Sequence, residues 1–179
     1  MSAAALLIVA LQTSSADTAA RMEFFNQALG VGCAHCHVAN DWSSAEKPQF
    51  SIARNMMRMV DVVNERLRGI GSVSCRTCHA GQITPSRLPR ADMDAVLAKW
   101  PAEIANAPDA VKNTMAVYTA TLATGCDHCH TATWSDRSKP TMKTVKVMGS
   151  LFEEFPKYMP ATARTQCYMC HKGTAHPQP

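Results

Sequence analysis

The chain is 179 residues long, which suits one ordinary domain or two small ones. Its 18 Lys+Arg against 14 Asp+Glu leave a formal charge of +4, too small an excess to point to nucleic acid. With 46% hydrophobic and 18% charged residues wholesale disorder is excluded, and no run approaches the roughly 18 apolar residues of a spanning helix.

In chain order, Ala3 to Leu11 is an apolar run followed by small polar residues. It is shaped like the core of an export signal, although the first basic residue is only Arg21. Residues 1–20 therefore read as a signal-like or anchoring tail. From Arg21 to Leu29, Met22, Phe25 and Leu29 fall at helical spacing. Ile52 to Leu67 places Met56, Met59, Val60, Val63 and Leu67 on one helical face. Thr84 to Asp109 holds four prolines and predicts one short helix, Ala91 to Trp100, stopped by Pro101. Asn113 to Leu122 and Lys143 to Phe155 repeat the helical pattern, and no strand-period run of useful length is present. The predicted class is mainly α with extensive loops.

The eight cysteines fall into four identical spacings: Cys33–Cys36–His37, Cys75–Cys78–His79, Cys126–Cys129–His130 and Cys167–Cys170–His171. Each is C-x-x-C-H, the attachment motif of c-type haem. Two thiols add across the two vinyl groups of the macrocycle, and the adjacent His is held beneath the iron as its proximal ligand. Two four-thiolate zinc sites would leave all four histidines unexplained. Redox dithiols need no following His, and a disulfide framework gives no reason for one repeated spacing. Four covalently bound haem c groups are therefore expected. They would use every cysteine and leave no disulfide. Their apolar plates would also make up for an aromatic content of only 6%. Haem c is attached outside the cytoplasmic membrane, so the periplasmic side of a bacterial membrane is the expected location.

The chain also repeats. Met22, Cys33 and His37 match Met115, Cys126 and His130 at an offset of 93. Trp42, Lys47, Pro48, Met56, Cys75 and Gly81 match Trp134, Lys139, Pro140, Met148, Cys167 and Gly173 at 92. Residues 21–83 and 113–179 thus read as two dihaem repeats, joined by a linker with a short helix at 84–112.

The sixth iron ligands are harder to place. Four of the seven histidines are proximal, leaving His35, His128 and His176, which read as surface residues. A soft thioether suits haem iron. Met22 and Met115 each precede an attachment cysteine by 11 residues, and Met56 and Met148 each precede one by 19. That repetition makes these four the candidate ligands, with Met59 the rival of Met56 one turn on. Arg54 and Arg58 are expected to pair with haem propionates, as are Lys143 and Lys146 in the second half. Arg66 and Arg68 would either do the same or line a solvated face.

From Met22 to Pro177 the chain resembles the tetrahaem cytochrome subunit of photosynthetic reaction centres. The residues that carry the resemblance are Met22, Ala28-Leu29-Gly30 and Cys33…His37, then Lys47-Pro48, Ala53-Arg54-Asn55-Met56-Met57-Arg58-Met59 and Asn64, then Val73-Ser74-Cys75…His79, Gly81 and Pro85. The resemblance implies helix–turn–C-x-x-C-H units in two pairs related by a pseudo-twofold axis. It implies axial methionines at Met56 and Met115, which the repeat extends to Met22 and Met148. In that family the fourth haem takes a His from the stretch before the second motif. Here residues 64–74 hold no His, so four His/Met haems are expected. Members of the family are usually longer and tethered by a lipidated cysteine or a spanning helix. Peripheral membrane association through protein contacts or the N-terminal tail is expected instead. The implied function is electron transfer, not enzyme catalysis, since six-coordinate irons leave no substrate site. The implied partners are a reaction-centre core as acceptor and a soluble electron donor, with no nucleic acid. The alternative is a periplasmic or complex-bound respiratory carrier, or a polymeric haem wire, not tied to photosynthesis.

Overall fold

Several of the longer helices start or stop on a local signal. The computed structural model describes residues 15–102 and 106–177, so the apolar run Ala3–Leu11 lies outside the described residues. Helix α1 spans Ser15–Leu29, with Asp17 favourably placed in its positive first turn. It ends at Gly30, whose φ of +66° is the left-handed conformation that glycine adopts without strain. Helix α2, Pro48–Arg66, and helix α6, Pro140–Glu154, both begin on proline. A proline there loses no intrahelical bond, because the first N–H groups of a helix have no partner to give up. These starts lie four and three residues before the expected Ile52 and Lys143. The short helix α3, Cys75–His79, is entered at Ser74, whose N–H donates to the Thr77 hydroxyl at 2.9 Å. Helix α4 is Arg90–Leu97, helix α5 is Asp109–Leu122 and helix α7 is Tyr168–His171. Helix α5 opens inside the segment assigned to the linker, because Pro108 and Asp109 supply a start signal ahead of the apolar periodicity. Among the described residues there is no strand, only an isolated bridge between Val38 and Asp41.

The elements follow one order twice: α1, a 3-10 turn at Cys33–His35, α2 and α3, then α5, a 3-10 turn at Cys126–His128, α6 and α7. Helix α1 packs on α3, and α5 packs on α7 in the same way. The Gly81 N–H donates to the Ala28 carbonyl at 2.8 Å, and the Gly173 N–H to the Thr121 carbonyl at 2.9 Å. The two halves meet through α2 against α6 and α3 against α7. In both contacts an element touches its own repeat mate, as self-complementary surfaces do across a twofold axis.

Val63, Leu67 and Leu151 form the apolar centre of that junction, with Met59, Val73, Val147, Met148 and Phe155 packed around it. At its rim the Arg66 guanidinium donates to the Glu154 carboxylate at 2.5 Å, and the Lys157 ammonium reaches the same carboxylate at 2.8 Å. Among the described residues only five apolar side chains are buried: Ala28, Val63, Leu67, Ala116 and Leu151. That is a small core for a chain of this length.

Candidate haem-attachment site

The four C-x-x-C-H segments are turns, in two alternating forms. Motifs one and three are 3-10 turns entered from Gly32 and Gly125, whereas motifs two and four lie on α3 and α7. In each form the turn brings the motif histidine back over its first cysteine. The His37 N–H donates to the Cys33 carbonyl at 3.0 Å, the His130 N–H to Cys126 at 2.9 Å and the His171 N–H to Cys167 at 3.1 Å. The even motifs end in left-handed residues, Ala80-Gly81 and Lys172-Gly173, which turn the chain away sharply.

The rings are oriented through one nitrogen. Nδ1 of His37 lies 2.7 Å from the Trp42 carbonyl, Nδ1 of His79 lies 2.9 Å from that of Gln82, and Nδ1 of His171 lies 2.9 Å from that of Thr174. A carbonyl only accepts, so each Nδ1 carries the proton and Nε2 keeps its lone pair for a metal. Burial holds the His171 imidazole below its ordinary pKa and so favours the neutral, ligating form. His130 differs. Its Nδ1 is buried and has no hydrogen-bond partner among the described residues. Indole rings flank the two odd histidines, Trp42 at 5.5 Å from His37 and Trp134 at 5.2 Å from His130.

Neighbouring elements pin the turns. The Lys47 ammonium donates to the Ala34 carbonyl, and its repeat mate Lys139 donates to the Asp127 carbonyl. The Asn64 amide spans the loop before motif two, donating to the Val73 carbonyl at 2.9 Å and accepting from the Val73 N–H at 2.7 Å. Sequence reasoning had Lys47-Pro48 and Lys139-Pro140 in hand as a repeat match, but not their role as clamps.

Burial pushes Cys36, Cys75, Cys129 and Cys167 above the ordinary cysteine value, outweighing the nearby Lys47 at Cys36 and the Thr141 hydroxyl and Lys139 at Cys129. Zinc sites want thiolates brought together. Among the described residues no three His, Cys, Asp or Glu side chains converge as a cage for a metal ion.

Residues 26–124 match the family described as photosynthetic reaction centre cytochrome C subunit. The chain belongs to that family. It is also 43% identical over 63 residues to cytochrome c-554 of Chloroflexus aurantiacus, a match that takes in 32% of this chain and 15% of that protein. Membership in this cytochrome c family carries covalent haem c with it, and the residues of this chain fit the group. The thiol pairs are spaced for two vinyl groups, three of the four imidazoles are tied at Nδ1 with Nε2 available, and the polypeptide's own core is thin. When bound, haem supplies an iron that passes single electrons.

The remaining candidates of this reaction-centre cytochrome are placed as follows. Met22 lies on α1, Met56 on α2, Met115 on α5 and Met148 on α6, each half-buried. Met148 packs against the Val63–Leu67–Leu151 cluster, and so does Met59. Of the other histidines, His176 is exposed, and His35 and His128 are half-buried. Arg54 sits over the Phe50 ring at 5.9 Å, Arg66 holds Glu154, and Arg68 pairs with Glu65. No helix among the described residues is long and apolar enough to cross a membrane.

One expectation fails. Cys78 and Cys170 are joined by a disulfide, with their Cα atoms 4.2 Å apart, while the other six cysteines are free. The two are repeat mates, 92 residues apart, and the α3–α7 contact sets them face to face. A sulfur in a disulfide cannot at the same time be a thioether, so this bond and full haem attachment at motifs two and four exclude each other.

Proposed function

We propose that the chain is a tetrahaem electron carrier that passes electrons to the photo-oxidised pigment of a reaction centre and takes them from a soluble donor. The observation that carries this reading is the fourfold C-x-x-C-H turn, three of its imidazoles tied at Nδ1, in a chain of the reaction-centre cytochrome family. His37, His79, His130 and His171 hold the proximal positions, and Cys33, Cys36, Cys75, Cys78, Cys126, Cys129, Cys167 and Cys170 hold the macrocycles, Cys78 and Cys170 as thioethers in place of their mutual bond. Met22, Met56, Met115 and Met148 cap the irons and raise their potentials relative to a second imidazole. The helices fix the order and separation of the haems and keep water from them. The repeats 21–83 and 113–179 are then dihaem units, facing each other across α2–α6 and α3–α7.

Flash excitation of native membranes containing the protein tests the partner. The reading predicts haem oxidation after the flash at this cytochrome's absorption band. No flash response, with oxidation by oxygen through a terminal oxidase instead, contradicts it and assigns the chain to respiration. Carbon monoxide binding to the native reduced protein would contradict sulfur ligation, because it requires an open sixth position.

A further inference from the structure

We propose that Lys47 and Lys139 tune the redox potentials of the haems at motifs one and three, each holding a positive charge against its attachment turn and so favouring the ferrous state. The proposal rests on the haem reading of the motifs. Both lysines stand at the N-cap of a main helix, Lys47 before α2 and Lys139 before α6. By local rules that is the wrong residue. An N-cap favours Ser, Thr, Asp or Asn, and a cation there opposes the positive end of the helix dipole. Neither side chain caps its helix. Each ammonium instead reaches back to the preceding turn, Lys47 across 13 residues to the Ala34 carbonyl and Lys139 across 12 residues to the Asp127 carbonyl. A local rule broken at both repeat mates points to a function that offsets the loss.

The two carbonyls sit where a charge would matter. Ala34 and Asp127 each follow the first attachment cysteine of their motif, on the turn that carries the proximal histidine. The N–H groups of these turns go to earlier carbonyls, those of Gly32 and Cys33 in the first and of Gly125 and Cys126 in the third. The carbonyls at the far end of a turn are left open, and the lysines supply the donor. Proline fixes the aim. A residue before proline is confined to extended backbone, and Lys47 and Lys139 have ψ of 125° and 136°. Both lysines are half-buried, although Glu46, Pro48, Ser138 and Pro140 beside them are exposed. Among the described residues neither ammonium is paired with a carboxylate, so no direct counter-ion cancels the charge. The field of each ammonium reaches the second cysteine of its turn, where it opposes the stronger effect of burial. Reduction adds one electron and no proton, and a fixed cation stabilises that added charge, the more so where the turn is partly withdrawn from water. Motif two carries a different cation, Lys172 on the Thr77 carbonyl, so each effect is read against the parent and not against the even haems.

Redox titration of the haem-loaded full chain tests the proposal. Lys47→Met and Lys139→Met should each retain four haems by intact mass and shift one component, a different one in each variant. The reduction equilibrium constant of that component should fall several-fold to about tenfold, and tenfold is about 59 mV for one electron. Lys47→Arg and Lys139→Arg keep the charge and should titrate as the parent does. In a chain without the third haem, through Cys126→Ser and Cys129→Ser, Lys139→Met should shift nothing while Lys47→Met keeps its full effect. Unchanged potentials in the methionine variants, a shift spread over all components, or an equal fall in the arginine variants would overturn the proposal. Loss of haem from the 33–37 or 126–130 peptide in the methionine variants would overturn it too, leaving the lysines as clamps alone. A parent chain that carries no haem would instead sink the haem reading itself.

Discussion

Gly30 and Ala123 are repeat mates that share a backbone conformation but not a side chain, with φ of +66° and +49°. A Cβ at Gly30 would run into the Gly81 carbonyl, because α1 ends directly against the turn that follows motif two. Gly30→Ala should therefore cost about 2 kcal/mol of unfolding free energy, from left-handed strain together with the clash. Ala123→Gly should be neutral to stabilising by about 0.5 kcal/mol, since the strain of a left-handed alanine offsets the glycine's entropy. Denaturant unfolding of the two variants checks both, and equal effects would contradict the asymmetry. His130 breaks the symmetry in another way. With no bond at Nδ1 its imidazole is a weaker donor than the three tied ones, which favours ferrous iron. On the proposed tetrahaem reading, the haem at the third motif should thus have the highest potential. A redox titration of Cys126→Ser, Cys129→Ser should lose the highest-potential component, and losing a lower one would contradict this.

Among the elements, the α2–α6 junction carries the most weight. Leu151 is 4% exposed at the centre of the apolar cluster, and Leu151→Ala should cost about 2–4 kcal/mol by opening a cavity that α2 and α6 cannot close. The Glu154 carboxyl at its rim is held below the ordinary carboxylate range, chiefly by the Lys157 hydrogen bond and then by the Lys157 and Arg66 charges. A carboxyl with a depressed folded pKa stabilises fully above its unfolded pKa, and that contribution is lost as pH falls through the folded value. The stability gap between the parent and Glu154→Gln should therefore close on acidification below the ordinary glutamate range, as followed by unfolding at several pH values. A gap that widened there would contradict the assigned sign. Arg66 shows why such a pair was hard to read from sequence. Its spacing on α2 fitted either a propionate partner or a solvated face, and its actual partner lies 88 residues away. Helix starts were hidden for a related reason: the apolar period sets in only inside α2 and α6, while Pro48 and Pro140 mark the ends.

For the whole molecule, the motifs, the paired offsets and the mainly helical class were legible because covalent chemistry and helical period both leave fixed spacings. The offsets of 92 and 93 reappear in space as the matched Gly81–Ala28 and Gly173–Thr121 hydrogen bonds. The face-to-face approach of Cys78 and Cys170 was not legible, since it arises where the two repeats meet and no spacing within one motif encodes that. Nor does the sequence separate a methionine that caps iron from one that fills a core. Met148 holds the spacing of the first and touches the cluster of the second.

Intact-mass spectrometry of the denatured protein purified from an attachment-competent host tests the central claim most directly. The predicted mass is that of the polypeptide plus four covalently retained haems. A mass equal to the polypeptide alone, or to the polypeptide with fewer than four haems, would contradict the account.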